Sequence, residues 1–177
     1  EGEGNGVWDS TEIVSVDLDG DTFYDASKIK MMGFYIAGGR DSTWTEWYEN
    51  GNRKTEFNYF LGKLNGSQIW WNEKGNKIKE GTYVNGKQDG LWINYYEETG
   101  IKKDQTYYLD GQQNGLWVEW YNNGTKKKER KFTNGERDSI WTSWYPSGNK
   151  KLQTTYAIGK LNGSFTSWYQ NGIVKEK

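Results

Sequence analysis

Aromatic residues fall at fixed places between polar ones along most of this chain. In Gly115-Leu116-Trp117-Val118-Glu119-Trp120-Tyr121, a run rich in aromatic and β-branched types is bounded by glycine, and related runs recur from Ser42 to Tyr48 and from Ser139 to Tyr145. Such runs predict strands. A turn signal follows each, Asn50-Gly51, Asn123-Gly124 or Asn171-Gly172, where positive φ is tolerated. A second strand then begins basic and ends in an aromatic, at Tyr35, Tyr59, Tyr83, Tyr108, Phe132 and Tyr156. A short glycine-bounded connection such as Gly86-Lys87-Gln88-Asp89-Gly90 leads back into the first strand. The expected product is a continuous antiparallel meander.

The full unit reads Gly-x-x-[Asn/Asp]-[Gly/Ser]-x-Trp-x-x-Trp-Tyr-x-x-Gly. It opens at Gly38, Gly62, Gly86, Gly111, Gly135 and Gly159, a period of about 24 residues that marks a stacked array. The fold class is therefore all-β: an elongated single-layer antiparallel meander of about seven stacked β-hairpin repeats. About 14 strands spaced ~4.8 Å apart make a ribbon of roughly 65 Å, ~20 Å wide. Residues 38–177 form the array, and residues 1–37 read as a divergent N-terminal hairpin or cap, with Gly6-Val7-Trp8 resembling a first-strand start. The third copy holds one extra residue in Glu97-Glu98-Thr99-Gly100, which a longer turn or a bulge must absorb.

Side chains alternate across a strand, so Trp44 and Tyr48 should share one face while Trp47 points to the other. In-register stacking predicts one ladder of Trp44, Trp92, Trp117, Trp141 and Phe165, with Gln68 as the exception. A second ladder takes Trp47, Trp71, Tyr95, Trp120, Trp144 and Trp168. These ladders are the expected core, because cross-strand rings bury one another.

Composition narrows the chemistry. Aromatics make up 17% of the 177 residues and mean hydropathy is -1.05, so a compact aliphatic core is not expected. With 23 basic against 24 acidic residues there is no global field to attract nucleic acid, and any polyanion site would have to be local. No Cys and no His are present, which removes disulfides, thiolate or imidazole metal ligation and the catalytic arrangements built on them. Acidic residues do not recur in pairs at fixed places, and neither a nucleophile elbow nor a phosphate loop is found. No catalytic, cofactor or metal site is expected. Asp17-Leu18-Asp19-Gly20-Asp21 has a calcium-loop look but lacks the EF-hand order, and reads as an acidic hairpin turn.

Two candidate surfaces remain. Arg53, Lys77, Lys102, Lys126 and Lys150 each stand two residues past a turn glycine and would align as a basic stripe, either tracking a polyanion or forming a solvated margin whose stems cover rings. The second candidate comprises Trp44, Trp92, Trp117, Trp141, Phe165, Tyr48, Tyr121, Tyr145 and Tyr169, either a platform for sugar rings or a protein interface.

The segments Tyr83 to Trp92 and Tyr59 to Gly66 follow Tyr-x-x-Gly-Lys-x-[Asn/Asp]-Gly, a pattern that resembles the MORN (membrane occupation and recognition nexus) repeat. The run Trp-Tyr-x-Asn-Gly, then Lys-Lys, then Tyr-x-x-Gly-Lys looks more like the bacterial variant of that repeat, across residues 33–177. The resemblance implies a row of hairpins in one sheet and an interaction scaffold, with some relatives labelled antitoxins. A large aromatic replaces the later glycine of the eukaryotic repeat, so lipid grooves of eukaryotic relatives do not carry over. Trp120-Tyr121-Asn122-Asn123-Gly124 is also similar to choline-binding cell-wall repeats, which cage a quaternary ammonium.

The expected function is a non-enzymatic repeat scaffold for protein–protein interaction, a subunit or accessory of a bacterial cell-envelope assembly. The alternatives are a carbohydrate or cell-wall binding module and an antitoxin-like binding protein. A protein is the expected partner and a glycan the alternative. Nucleic acid is not expected, and membrane association is expected only through an anchor outside the chain. The absence of Cys, the start at Glu1 and the Gly/Glu-rich opening point to the cell envelope or exterior, with an outer-membrane lipoprotein as one form and the cytoplasm as the other compartment considered.

Overall fold

The computed structural model describes residues 12–17 and 29–177. The calcium-like turn beyond Asp17 and the Gly6-Val7-Trp8 start lie outside those residues. The chain divides into two units, 1–87 and 88–177. In the first, β1 (Glu12–Asp17), β2 (Ile29–Ile36), β3 (Gly39–Trp47), β4 (Arg53–Phe60), β5 (Lys63–Trp71) and β6 (Lys77–Val84) are antiparallel and hydrogen-bonded in chain order. In the second, the strands are β7 (Lys87–Tyr95), β8 (Lys102–Leu109), β9 (Gln112–Trp120), β10 (Lys126–Thr133), β11 (Glu136–Trp144), β12 (Lys150–Ala157), β13 (Lys160–Trp168) and β14 (Val174–Glu176). They too pair antiparallel in chain order. The fold is an all-β open meander of repeated hairpins.

Two kinds of turn alternate. After each first strand a tight turn closes on a left-handed glycine: Gly51 (φ 85°) donates to the Tyr48 carbonyl at 2.9 Å, and Tyr48 N–H donates to Asn52 O at 2.8 Å. The third copy widens this turn, with Gly100 donating to Tyr96 O and Tyr96 to Ile101 O, so the extra residue is taken up in the loop and both strands keep their register.

The other turn lies elsewhere than expected. The segment Gly86 to Gly90 is not a connection, because β7 runs through it. The chain reverses one step earlier at Asn85-Gly86, where both residues have positive φ (51° and 82°), the two-residue geometry that matches strand twist. The glycine at position 66, 115 or 163 serves a bulge instead: three residues of one strand face one of its neighbour, as Asn65 to Ser67 face Asn58 between β5 and β4. The repeated Asn/Asp just before that bulge caps the reversal of the following copy. Asp41 Oδ2 accepts from Leu61 N–H at 3.0 Å, and Asn65 Oδ1 from Asn85 N–H at 3.1 Å.

The ladders also differ from expectation in one respect. First strands of successive copies are two strands apart, so a second-strand residue stands between ladder members: Thr106 between Trp92 and Trp117, and Thr154 between Trp141 and Phe165. The rings instead meet the aromatic that ends the second strand, as Trp44 meets Tyr35 edge-on at 4.9 Å and Trp141 meets Tyr156 at 4.6 Å. Trp44 and Trp92 are buried (3% and 4% exposed), each in its own unit. Gln68 takes the equivalent place in the first unit and is fully buried, its Nε2 donating to Asn58 O at 3.0 Å while Oε1 has no partner. Across neighbouring copies, Tyr48 Oη donates to Trp71 O at 2.8 Å, and Tyr96, Tyr121 and Tyr145 reach Trp120, Trp144 and Trp168 at 2.9 Å.

Candidate functional site

The paired cations after each turn straddle the sheet. A bulge at Lys54 leaves Trp47 opposite Arg53 and Glu46 opposite Thr55. Arg53 therefore lies on the back face with Trp47, where it bonds Glu56 at 2.9 Å and covers the ring of Trp71 at 5.1 Å. Its neighbour Lys54 lies on the front face with Trp44, 5.9 Å from the Tyr48 ring. Lys126 and Lys150 likewise cover Trp144 and Trp168, while Lys127 and Lys151 cover Tyr121 and Tyr145. The stripe of Arg53, Lys77, Lys102, Lys126 and Lys150 is thus laid against residues of its own strand: Lys77 bonds Glu80 and Lys126 bonds Glu129, both at 2.6 Å, and Lys102 reaches Gln105 at 3.5 Å. Stems pack on rings, and the ammonium groups of Lys77 and Lys126 are shared with carboxylates.

The proposed ring surface separates by position. Trp44 and Trp92 are closed to ligands. Trp117, Trp141, Tyr48, Tyr121 and Tyr145 are half-buried, with the tyrosine hydroxyls of the last three engaged by the next copy. Phe165 and Tyr169 are exposed.

On the front face of the second unit the structure assembles a group that sequence reading missed. Arg130, on β10 opposite Trp117, lies 4.8 Å from the Trp117 ring and 4.6 Å from Trp141. Arg137, on β11 just before its bulge, lies 4.9 Å from Trp141 and 5.4 Å from Tyr156. The two guanidiniums thus flank one indole. Burial opposes the charge of Arg130, pulling its pKa below the ordinary value; attraction to Glu119 offsets part of this and Arg137 adds repulsion. Glu119 itself is fully engaged: Lys127 reaches Oε1 at 2.6 Å and Lys128 reaches Oε2 at 3.2 Å. Burial alone would raise the Glu119 carboxyl, but these two lysine bonds outweigh it and hold the group below its usual range.

The signal for this group was present in the repeat. Position 130 is Thr106 and Thr154 in the flanking copies, and position 137 is Gln88 and Gln113 in the two preceding ones. Reading it required the pairing, because the bulge decides which second-strand residue lies beside which tryptophan. No cluster of acidic side chains able to hold a metal ion occurs among the described residues.

A sheet of hairpins that repeats every two strands, clasped copy to copy by tyrosine hydroxyls, defines a β-hairpin repeat protein. The model of the MORN repeat variant matches four times, at residues 40–60, 64–85, 113–134 and 137–157. The chain belongs to the MORN repeat family. Repeats of this family are modules of protein and membrane interaction, of a non-catalytic scaffold type. A comparison with curated proteins gives no match.

Proposed function

We propose that this chain is a non-enzymatic scaffold that binds a protein partner, as a subunit or accessory of a bacterial cell-envelope assembly. One observation carries the protein part of that reading. The back-face residue preceding each front-face ladder position is Thr43 and Ser67 in the first unit and Ser164 in the last copy, but Leu91, Leu116 and Ile140 in the other copies of the second unit, where they are 42%, 45% and 54% exposed. Folding does not require apolar residues there, since the first unit does without them. Tyr107, directly opposite Leu91, extends the row. Exposed apolar side chains grouped in this way mark a surface made to be covered by protein.

The envelope assignment rests on the composition: no Cys in the chain and a Gly/Glu-rich opening. A tagged copy recovered from its native cells after mild cross-linking, with co-purifying material identified by mass spectrometry, tests the proposal. A stoichiometric envelope protein is the expected result. Recovery of the chain alone, or with polysaccharide attached, refutes it.

A further inference from the structure

We infer that Arg130 and Arg137, flanking Trp141 on the front face of the second unit, form a receptor for the carboxylates of an acidic segment of a partner protein. The inference rests on the scaffold reading only in taking protein as the partner class. It concerns the face opposite the Leu91, Leu116 and Ile140 row, and so a second and chemically different contact.

Three observations lead to it. First, a guanidinium presents five N–H donors in a planar fork suited to a carboxylate, and stacking on an indole leaves those edge donors directed away from the ring. Arg130 and Arg137 make ring contacts, and neither forms an ion pair with a carboxylate of the described residues. Second, the nearby acid is already occupied. Glu119 gives one oxygen to each of two lysines, so Lys127, Lys128, Arg130 and Arg137 stand against Glu119 and its cross-strand neighbour Asp104, four cations to two carboxylates. The patch is locally positive in a chain whose formal net charge is -1. Third, the fold does not need these arginines. Thr106 and Thr154 fill the place of Arg130 between equivalent rings, and Gln88 and Gln113 that of Arg137.

Desolvating a guanidinium without an acceptor is unfavourable, and a bound carboxylate removes that penalty through two parallel charge-assisted bonds. A nucleic acid fits less well, since tracking its backbone takes a row of free cations, and Lys126, Lys127, Lys150 and Lys151 of this unit lie over rings or against carboxylates. The site is discrete and matches one or two carboxylates.

The test uses the repeat's own residues. Binding of a fluorescent pentaglutamate peptide is measured by anisotropy for the wild-type chain, for Arg130→Thr/Arg137→Gln, and for the charge-matched control Lys126→Gln/Lys150→Gln on the back face. Circular dichroism verifies that each variant folds, and the single Arg137→Gln change at an exposed position serves if the double variant does not. The arginine variant is expected to weaken binding by about tenfold or more, and the control by less than about twofold, because only the former removes bidentate partners. Failure of the wild type to bind pentaglutamate, equal weakening in both variants, or tighter binding of an oligothymidylate than of pentaglutamate overturns the inference. None of these outcomes touches the scaffold reading, which stands or falls on the cross-linked recovery.

Discussion

Gly33 and Trp44 offer a sharp test of how the first unit is held together. Gly33 is buried on β2 and is not among the residues with positive φ, so its backbone would accept a side chain. What forbids one is the Trp44 indole, which occupies the space a Cβ would need. That ring is 3% exposed, donates from Nε1 to Phe34 O at 3.1 Å, and carries the Arg40 guanidinium at 4.3 Å. Truncating so buried a tryptophan to alanine costs about 3–5 kcal/mol. Gly33→Ala forces the ring off the backbone and gives up roughly half of that, about 2 kcal/mol, within the usual range for overpacking. In a Trp44→Ala background the obstruction is gone, and alanine for glycine in a strand becomes neutral or stabilising by about 0.5 kcal/mol. Urea unfolding of the four proteins, followed by far-ultraviolet circular dichroism, gives the coupling energy directly, expected at about 2 kcal/mol or more. If Gly33→Ala costs the same in both backgrounds, the indole is not what excludes the side chain and the packing argument fails.

Two further predictions concern the second unit. Ile158 holds φ 48° at the first position of its two-residue reversal while 81% exposed, a conformation that β-branched residues resist and that Asn85 and Asn134 occupy in other copies. Ile158→Asn is expected to stabilise by about 1 kcal/mol, a rise of about 2–4 °C in thermal midpoint; no rise would refute the strain. Glu119, with its folded pKa lowered from 4.5, contributes stability that is present above that value and is lost as pH falls through the lowered one. The stability gap between wild type and Glu119→Gln, read from urea midpoints, should therefore be widest at neutral pH and close under acid conditions. A gap independent of pH contradicts the lysine clamp.

Much of this architecture could be read from the chain because its signals are periodic. Aromatic spacing located both strands of every copy, and alternation placed Trp47 opposite in face to Trp44 and Tyr48. Glycine was harder to read, because the same residue type serves a reversal at Gly62 and a bulge at Gly66, and only the backbone angles of their neighbours tell them apart. That ambiguity hid the reversal at Asn85-Gly86 and with it the capping role of the repeated Asn/Asp. It also hid the arginine pair: Arg130 lies seven positions from Arg137 in the chain, and only the register of β10 against β9 and β11 brings both to Trp141. Burial followed composition less closely still, since Gln68 sits in a fully enclosed place that its polarity would not predict.

The tyrosine clasps have a consequence for how such a chain lengthens. Each hydroxyl reaches forward to a carbonyl one residue short of a full period, 23 residues from Tyr48, Tyr121 and Tyr145 and 24 from Tyr96, whose turn holds the extra residue. A duplication of any window one period long therefore recreates every junction, wherever in the hairpin the window is cut. A window that is not a whole number of periods leaves a hydroxyl without its carbonyl at the seam, and one with an odd remainder also exchanges the faces of the two lysines behind it. Growth and loss by whole periods are neutral to the join, and the phase of the repeat, more than the identity of any one copy, is what inheritance must preserve.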